Sequence, residues 1–343
     1  MNTSRLDPRV SSRLGSSWTH GEGLLKRLIV FFTVTGMTLI GSVVVAGPAP
    51  AKVAGSNGQI VFVRTNFSTD NQTIYFVNPD GSHLRRLVVP WDVEAPHWSP
   101  NGDLIAFNAC CRGHTVILNP DTGDYRILPE PSPSLFTFCT VWSPNAKRFA
   151  CFGEGANPRV TGLYTIRSSD GGGLTRLTNS ELGVIDFPID YSSDGTRIVF
   201  GRVSEEDHSC TKRSALFVVN IDGSRLHRIT PWRFCDDDGS WSPDGRWIAF
   251  ERRGAIFTVR PDGSGLRKVP LRTNSQSFAG DISWSPNGKK MAFILFAQTS
   301  DGTCCKEGIG TANANGTDVR FVTTAPGGLF DHEADWGPHP LWT

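Results

Sequence analysis

Carboxylates recur along this chain, each time just before one of a set of regularly spaced aromatic residues. These aromatic residues, here called the anchors, are 43 to 52 residues apart: Trp98, Trp142, Tyr191, Trp241, Trp284 and Trp336. Five anchors end an acidic segment, and these segments are WDVEAPHW (91–98), VIDFPIDY (184–191), CDDDGSW (235–241), AGDISW (279–284) and FDHEADW (330–336). The segment that ends at Trp142 has no acid. Carboxylates that converge on one place can hold a hard cation such as calcium or bind a basic peptide.

The candidate binding residues in these segments are eight acids: Asp92, Glu94, Asp186, Asp237, Asp238, Asp281, Asp331 and Glu333. His97 and His332 lie in the same segments and are candidate metal ligands, although they match no ligand spacing. Calcium is the one cofactor that these residues suggest. The alternative is that each Asp only caps its own loop by accepting hydrogen bonds from backbone amides.

The elements that must position these acids are repeated β-hairpins. One phrase begins at an anchor, as in WSPDGRWIAF (241–250), and a second phrase such as LFVVNIDGSRLHRIT (216–230) alternates with it. Each is a strand, a turn with Asp-Gly or Asn-Gly, and another strand. Two successive hairpins give a unit of four antiparallel strands, which is typical of a propeller blade.

The ends of the repeat predict how the ring closes. The segment GQIVFVRTN (58–66) has no anchor strand before it, and ADWGPHP (334–340) has an anchor strand with no strand after it. Pairing of these two strands would remove the open edges. We therefore predict an all-β, six-bladed β-propeller over residues 52–343, closed by pairing of its N- and C-terminal strands. Since the anchor strand is innermost, the acidic segments should ring one mouth of the central channel.

The N-terminal region differs in composition from the repeat. Residues 1–27 form a basic leader, and residues 28–46 contain no charge over 19 positions. That length is just enough to cross a bilayer as a helix, and the basic flank places the N-terminus in the cytoplasm. Residues 28–51 are therefore predicted to be a signal peptide or a membrane anchor. Both alternatives export the propeller, and an uncleaved segment would tether it to the membrane.

Net charge and motifs limit the function classes. The formal net charge is +1, so no strong overall field favours nucleic acid or an anionic membrane, and no nucleic-acid partner is expected. The motifs G-x-S-x-G, H-E-x-x-H and G-x-x-x-x-G-K-[ST] are absent. Enzymatic activity is therefore not the favoured interpretation. A carboxylate-dependent propeller lyase or hydrolase and a small-ligand or glycan-binding propeller remain alternatives.

Eight cysteines in an exported chain invite disulfides, and they are Cys110, Cys111, Cys139, Cys151, Cys210, Cys235, Cys304 and Cys305. Cys210 and Cys235 fall in loops on one face of the disc and are expected to pair. If Trp142 faces Arg148 across its turn, Cys139 faces Cys151 at bonding range. A rival pairing joins Cys139 to Cys110 or Cys111. Vicinal bridges within 110–111 and 304–305, or buried free thiols, are further alternatives.

The repeated phrases resemble the TolB-type propeller repeat, PxWSPDGxxIAF followed by IYxxxxDGxxxxLT. The resemblance covers the whole predicted propeller, and it departs from the pattern at Tyr191, at Ala146 in a turn glycine position and at Gly337. It implies the propeller fold and, for function, an extracytoplasmic protein-interaction module at the cell envelope. Its partner would be an envelope protein or peptide bound at the channel mouth. Most of the motif itself is structural, because the Trp fills space between blades and the Asp-Gly pair makes a tight turn.

Overall fold

The computed structural model describes residues 55–109, 113–180, 183–204, 214–232, 234–273, 277–298 and 305–342. The predicted leader and export segment, residues 1–51, lie outside these ranges. Within them, no helix has the length and apolar character that a membrane crossing requires.

The described residues form six antiparallel sheets of four strands, with one short 3-10 helix at Pro158–Val160. Blade 1 consists of β1 (Ile60–Asn66), β2 (Asn71–Val77), β3 (Arg85–Leu87) and β24 (Leu329–Trp336). Blade 2 consists of β4 (Val93–Trp98), β5 (Ile105–Ala109), β6 (His114–Leu118) and β7 (Tyr125–Ile127). Blade 3 consists of β8 (Phe136–Trp142), β9 (Arg148–Glu154), β10 (Gly162–Arg167) and β11 (Thr175–Arg176).

The other three blades follow the same order along the chain. Blade 4 consists of β12 (Val184–Tyr191), β13 (Arg197–Ser204), β14 (Ser214–Asn220) and β15 (His227–Arg228). Blade 5 consists of β16 (Asp236–Trp241), β17 (Ile248–Arg252), β18 (Ala255–Val259) and β19 (Arg267–Lys268). Blade 6 consists of β20 (Ser277–Trp284), β21 (Lys290–Gln298), β22 (Cys305–Asn313) and β23 (Arg320–Phe321). The predicted all-β, six-bladed architecture is confirmed.

The ring closes in blade 1, whose sheet has the order β24-β1-β2-β3. Ile60 lies opposite Trp336, so the N-terminal strand is held between the C-terminal strand and β2, as the sequence predicts. The chain after Trp336 adds a second contact, because the His339 ring stacks on the Trp98 ring of blade 2 with centroids 4.7 Å apart. Closure thus involves both backbone pairing and side-chain packing across the blade boundary.

The core lies between neighbouring blades. The six anchors are between 1% and 8% exposed. In one cluster, Trp98 packs with Val61 and Phe76 of blade 1 and with Phe107 of its own blade. A single blade cannot bury its own faces, so the stacking of neighbouring blades supplies the hydrophobic stabilisation. This packing agrees with the prediction that the anchor Trp fills space between blades.

The structure describes one disulfide in full, Cys139–Cys151, with Cα atoms 4.2 Å apart. The pair is the predicted one, but the predicted register was wrong. Trp142 faces Phe149 rather than Arg148, and a one-residue bulge between Cys139 and Val141 brings the two cysteines opposite each other. The rival pairings of Cys139 are therefore excluded.

Two further cysteine predictions fall partly outside the described residues. Cys235 is disulfide-bonded, and its predicted partner Cys210 lies outside the described ranges. Cys110, Cys111 and Cys304 also lie outside them, and the side chain of Cys305 is not described. The vicinal bridges stay predictions.

Candidate functional site

Each blade has two ends with different roles. The turn face carries the hairpin turns that join the first to the second strand and the third to the fourth strand of a blade. The loop face carries the remaining connections, including the acidic segments that lead into the anchors. The residue directly before each anchor lines a central pocket, and these six residues are His97, Val141, Asp190, Ser240, Ser283 and Asp335. The sequence analysis did not single out this position, although the anchor spacing would have identified it.

Side chains at this position join the inner strands of neighbouring blades. The backbone N–H of Trp241 donates to Asp190 Oδ2 at 2.8 Å, and that of Trp98 donates to Asp335 Oδ2 at 2.9 Å. The Trp336 N–H donates to Ser283 Oγ at 3.0 Å in the same way. These bonds satisfy buried backbone donors, so the residues that line the channel also hold the ring together.

A β-bulge three residues before the anchor aims side chains at the loop-face mouth. Ala95, Asp238, Asp281 and Glu333 all have φ between 43° and 52°, a left-handed conformation that is costly for residues other than glycine. The register of the inner hairpin shifts at this place in all four blades. Strain repeated at one structural position is typical of a functional constraint.

Carboxylates at the bulges form a chain from blade to blade. The N–H of Glu333 donates to Asp281 Oδ2 at 2.8 Å, and the N–H of Ala95 donates to Glu333 Oε2 at 2.7 Å. The carboxyl of Asp238 hydrogen-bonds with that of Asp281. Each of these carboxylates therefore contacts the bulge of the next blade, which combines the capping role and the clustering that the sequence left as alternatives.

Six carboxyl groups meet at this mouth and are here called the acidic cluster: Glu94, Asp237, Asp238, Glu251, Asp281 and Glu333. Burial and the charges of Asp237, Asp281 and Glu251 raise the pKa of Asp238 well above its usual range. Burial and the charge of Asp281 raise the pKa of Glu251 to about 8. Burial and the charge of Glu94 raise the pKa of Glu333 to about 8, although its side chain is still 23% exposed. Glu251 and Glu333 therefore hold their protons near neutral pH, and the cluster is a site where negative charge is costly unless a cation compensates it.

Glu251 is the member that sequence reasoning missed. It lies on the second strand of blade 5, opposite Asp237 in the register, and not in an inter-blade segment. Its Oε1 accepts a hydrogen bond from the Gly254 N–H at 3.1 Å. Identifying it requires the strand pairing, which the acidic segments alone do not contain.

Three of the eight predicted binding residues lie away from the cluster. Asp186 and Asp331 are fully buried within their own blades, each in a bidentate pair with an arginine. Arg202 Nε lies 2.6 Å from Asp186 Oδ1, and Arg252 pairs with the buried Asp236 in the same way. The third residue, Asp92, accepts a hydrogen bond from the Gln72 N–H at 3.0 Å. The predicted binding ring must therefore be redrawn without Asp92, Asp186 and Asp331, because their carboxylates already have protein partners.

The two candidate metal-binding histidines occupy different positions. His97 Nδ1 lies 3.9 Å from Asp335 Oδ2 in the channel lining. His332 Nε2 is 2.7 Å from Thr65 Oγ1, and its ring stacks on Phe330. Among the described residues, no group of three or more His, Cys, Asp or Glu side chains is arranged to hold a metal ion. Calcium stays a prediction from the sequence.

An aromatic stack lies beside the acidic cluster on the loop face. The ring of Phe330 stacks between the rings of Phe67 and Phe296, with centroids 5.8 Å apart on each side. Phe67 is 64% exposed. Phe330 lies on β24 three residues before Glu333, so the loop face combines exposed aromatic surface with negative charge.

The raised pKa values predict how stability depends on pH. A carboxyl with a higher pKa in the folded state holds its proton while the unfolded chain has lost it, so stability falls as pH rises. For Glu251 and Glu333 this window runs from about 4.5 to about 8. In Glu251→Gln, we expect the decline in unfolding free energy across this window to become shallower by about 1.4 kcal/mol per pH unit or less. Urea unfolding at several pH values measures it.

The control for this prediction is Asp103→Asn, at an exposed turn-face residue far from the cluster. It should keep the wild-type dependence on pH. The same slope in Glu251→Gln as in the wild type would contradict the prediction.

The chain is similar to known proteins in both sequence and fold. No family model matches the chain. An uncharacterized protein of Agrobacterium fabrum is 26% identical over 273 residues, which are 62% of this chain and 89% of that protein. A TolB homologue of Chlorobium luteolum is 34% identical over 128 residues, or 36% of this chain and 27% of its own length. The Tol-Pal system protein TolB of Syntrophus aciditrophicus is 37% identical over 78 residues, 22% of this chain and 17% of that protein.

A solved structure extends the comparison to the fold. The crystal structure of TolB from Acinetobacter baumannii superposes with a TM-score of 0.60 at 17% identity, and covers 84% of this chain and 68% of that one. The fold and its central site define a six-bladed β-propeller with a closed ring. In parts of its repeat the chain is similar to TolB homologues, and in its fold it is similar to a TolB structure. It spans about a quarter of the length of the Chlorobium TolB homologue.

Proposed function

We propose that this chain is an exported cell-envelope protein whose propeller binds a partner protein or peptide at the acidic mouth. The observation that carries the proposal is the acidic cluster, in which burial and neighbouring carboxylates raise the pKa of Glu333 and Glu251 to about 8. A lysine or arginine placed there would stabilise the ionised carboxylates and lower their pKa values, so binding of a basic side chain is coupled to release of protons.

The surroundings of the cluster define the chemistry of the partner. The exposed edge of the aromatic stack, at Phe67, offers apolar surface next to the charge. Aromatic side chains at the centre of an interface contribute much of its binding energy. The partner is therefore a segment that carries a basic side chain with an apolar residue close to it.

Two observations support the location in the cell envelope. Disulfides persist in oxidising compartments and are rare in the cytosol, and Cys139–Cys151 is one. A relative of this chain is described as a Tol-Pal system protein. Either alternative for residues 28–51, signal peptide or anchor, leads to the same side of the membrane.

Site-specific photo-crosslinking tests the proposal. A photoreactive p-benzoylphenylalanine replaces Phe67 on the loop face in one variant and Leu226 on the turn face in another, and both positions are exposed. In cells of the native host, we expect a protein adduct from position 67 and none from position 226. Adding Glu94→Gln and Glu333→Gln to the first variant should remove the adduct. Protein adducts only from position 226, or an adduct that the Gln changes leave intact, would overturn the proposal.

A further inference from the structure

In four of the six blades the turn face carries an excess of basic residues, whereas the turns of blades 1 and 2 carry Asp80, Asp103, Asp121 and Asp124 against Arg85. We consider blades 3 to 6, and within them the turns together with the strand residues that adjoin each turn. These positions carry eleven basic residues, here called the basic sector: Lys147, Arg148, Arg167, Arg197, Arg225, Arg246, Arg260, Arg267, Lys289, Lys290 and Arg320. The same positions carry six acids: Asp170, Asp194, Asp222, Asp244, Asp262 and Asp318. The formal net charge of +1 conceals this separation because the acids of the loop face balance it.

The acids of the turn face are held within their own turns. Asp222 Oδ1 accepts hydrogen bonds from the N–H and hydroxyl of Ser224, and Asp262 Oδ1 accepts one from the Ser264 N–H. Five of the basic side chains pair with acids of these turns, and of these Arg246 and Arg320 extend furthest into solvent, at 80% and 73% exposure. Eleven basic residues against six acids leave the sector with a net positive charge toward an approaching ligand.

Apolar side chains lie among these charges. Four aliphatic residues lie in the turns between the third and fourth strands of their blades and are between 38% and 44% exposed: Leu174, Ile221, Leu226 and Leu266. Arg260 and Arg267 lie over the ring of Trp247. Basic groups interspersed with exposed aliphatic side chains are the composition of surfaces that lie in the headgroup region of a membrane.

The chain enters the propeller on this same face. The backbone N–H of Asn287, in a turn of blade 6, donates to Asn57 Oδ1 at 3.2 Å. Asn57 lies eleven positions after Ala46, the last residue of the uncharged stretch. Even a fully extended segment of that length reaches only about 40 Å. A stretch held in a bilayer would thus keep the basic sector close to the membrane surface.

We propose that the basic sector docks on an anionic phospholipid surface. Each Lys or Arg near such a surface contributes a favourable interaction that decays within a Debye length, and the exposed leucines add apolar contact with the acyl boundary. Docking in this orientation points the loop face away from the bilayer. The acidic mouth then stays open to a partner, and like-charge repulsion between that mouth and the lipids is avoided.

Vesicle co-sedimentation tests the proposal with the propeller from residue 52 onward, whose six sheets and core all lie within residues 58–342. The probes are vesicles of phosphatidylcholine alone and of phosphatidylcholine with phosphatidylglycerol. We expect binding to the anionic vesicles only, and weaker binding at high salt. The triple variant Arg246→Glu, Arg260→Glu, Lys289→Glu should bind at least tenfold more weakly.

The matched control reverses three exposed charges on the loop face, as Arg159→Glu, Arg253→Glu, Lys306→Glu. It should keep wild-type vesicle binding, and a thermal melt of each variant checks that the ring is intact. Equal loss in both triple variants, equal binding to neutral vesicles, or binding of duplex DNA in place of vesicles would overturn the proposal.

Discussion

Deletion of residues 58–66 is expected to abolish the closed ring and to cause aggregation. This segment contains β1, which pairs with both β24 and β2. The deletion also removes the side chains of Ile60, Val61, Phe62 and Val63, all of which are fully buried. Burial of such a side chain contributes about 1.5–3 kcal/mol, so the total loss is comparable with the whole stability of a typical domain. The freed edges of β24 and β2 can then pair with other chains.

Size-exclusion chromatography with light scattering, together with a thermal melt, measures this outcome. The matched control deletes residues 48–54, which lie just before the first described residue and leave β1 complete. That variant should remain monomeric with an unchanged melting temperature. If deletion of residues 58–66 gives the same behaviour, the strand pairing that closes the ring does not determine its stability.

Loss of Arg202, whose side chain is 16% exposed and pairs with a fully buried carboxylate, is expected to have the second largest effect. In Arg202→Met, the carboxylate of Asp186 loses its bidentate partner while it stays at 0% exposure. Breaking a buried ion pair by removing one partner costs about 3–5 kcal/mol. Arg202 also stacks over the ring of Phe217, with its guanidinium carbon 4.8 Å from the centroid, and methionine keeps part of that packing. Urea unfolding at neutral pH measures the loss.

Two further measurements distinguish a stability loss caused by the unpaired charge from one caused by a packing defect. The double variant Arg202→Met, Asp186→Leu should recover most of the stability, because replacement of both partners by apolar residues is often nearly neutral. The single variant should also regain stability at low pH. Protonation removes the charge of the unpaired buried carboxylate, so the folded state is favoured as the pH falls. A loss that persists in the double variant and at every pH would contradict the charge explanation.

The fold was accessible from sequence because one pattern is repeated six times. Each anchor with its turn and alternating strand specifies a hairpin, and the incomplete phrases at residues 58–66 and 334–340 indicate where the ring closes. The positions of the β-bulges could not be predicted from the sequence. Bulges insert one residue without a distinct sequence signal, and for this reason the predicted register around Trp142 was wrong even though Cys139 and Cys151 do pair.

The site was predicted only in part for the same reason. The acidic segments identified Glu94, Asp237, Asp238, Asp281 and Glu333, which meet in the acidic cluster. They also suggested Asp186, whose partner Arg202 lies 16 residues later on the opposing strand. Whether an acid faces the mouth or pairs across the sheet depends on one residue of register. Sequence spacing alone does not fix that register.

The bulge three residues before four of the anchors separates stability from specificity within a single strand. The anchor and the residue before it pack between blades or bond to them, so substitutions there would weaken the ring. At the bulge, the four blades already accommodate Ala95, Asp238, Asp281 and Glu333 on nearly the same backbone. Variation at this position can therefore alter the recognition surface while the scaffold is preserved. The mouth is an evolvable surface, and a library of substitutions at these four positions is a direct route to propellers with new binding preferences.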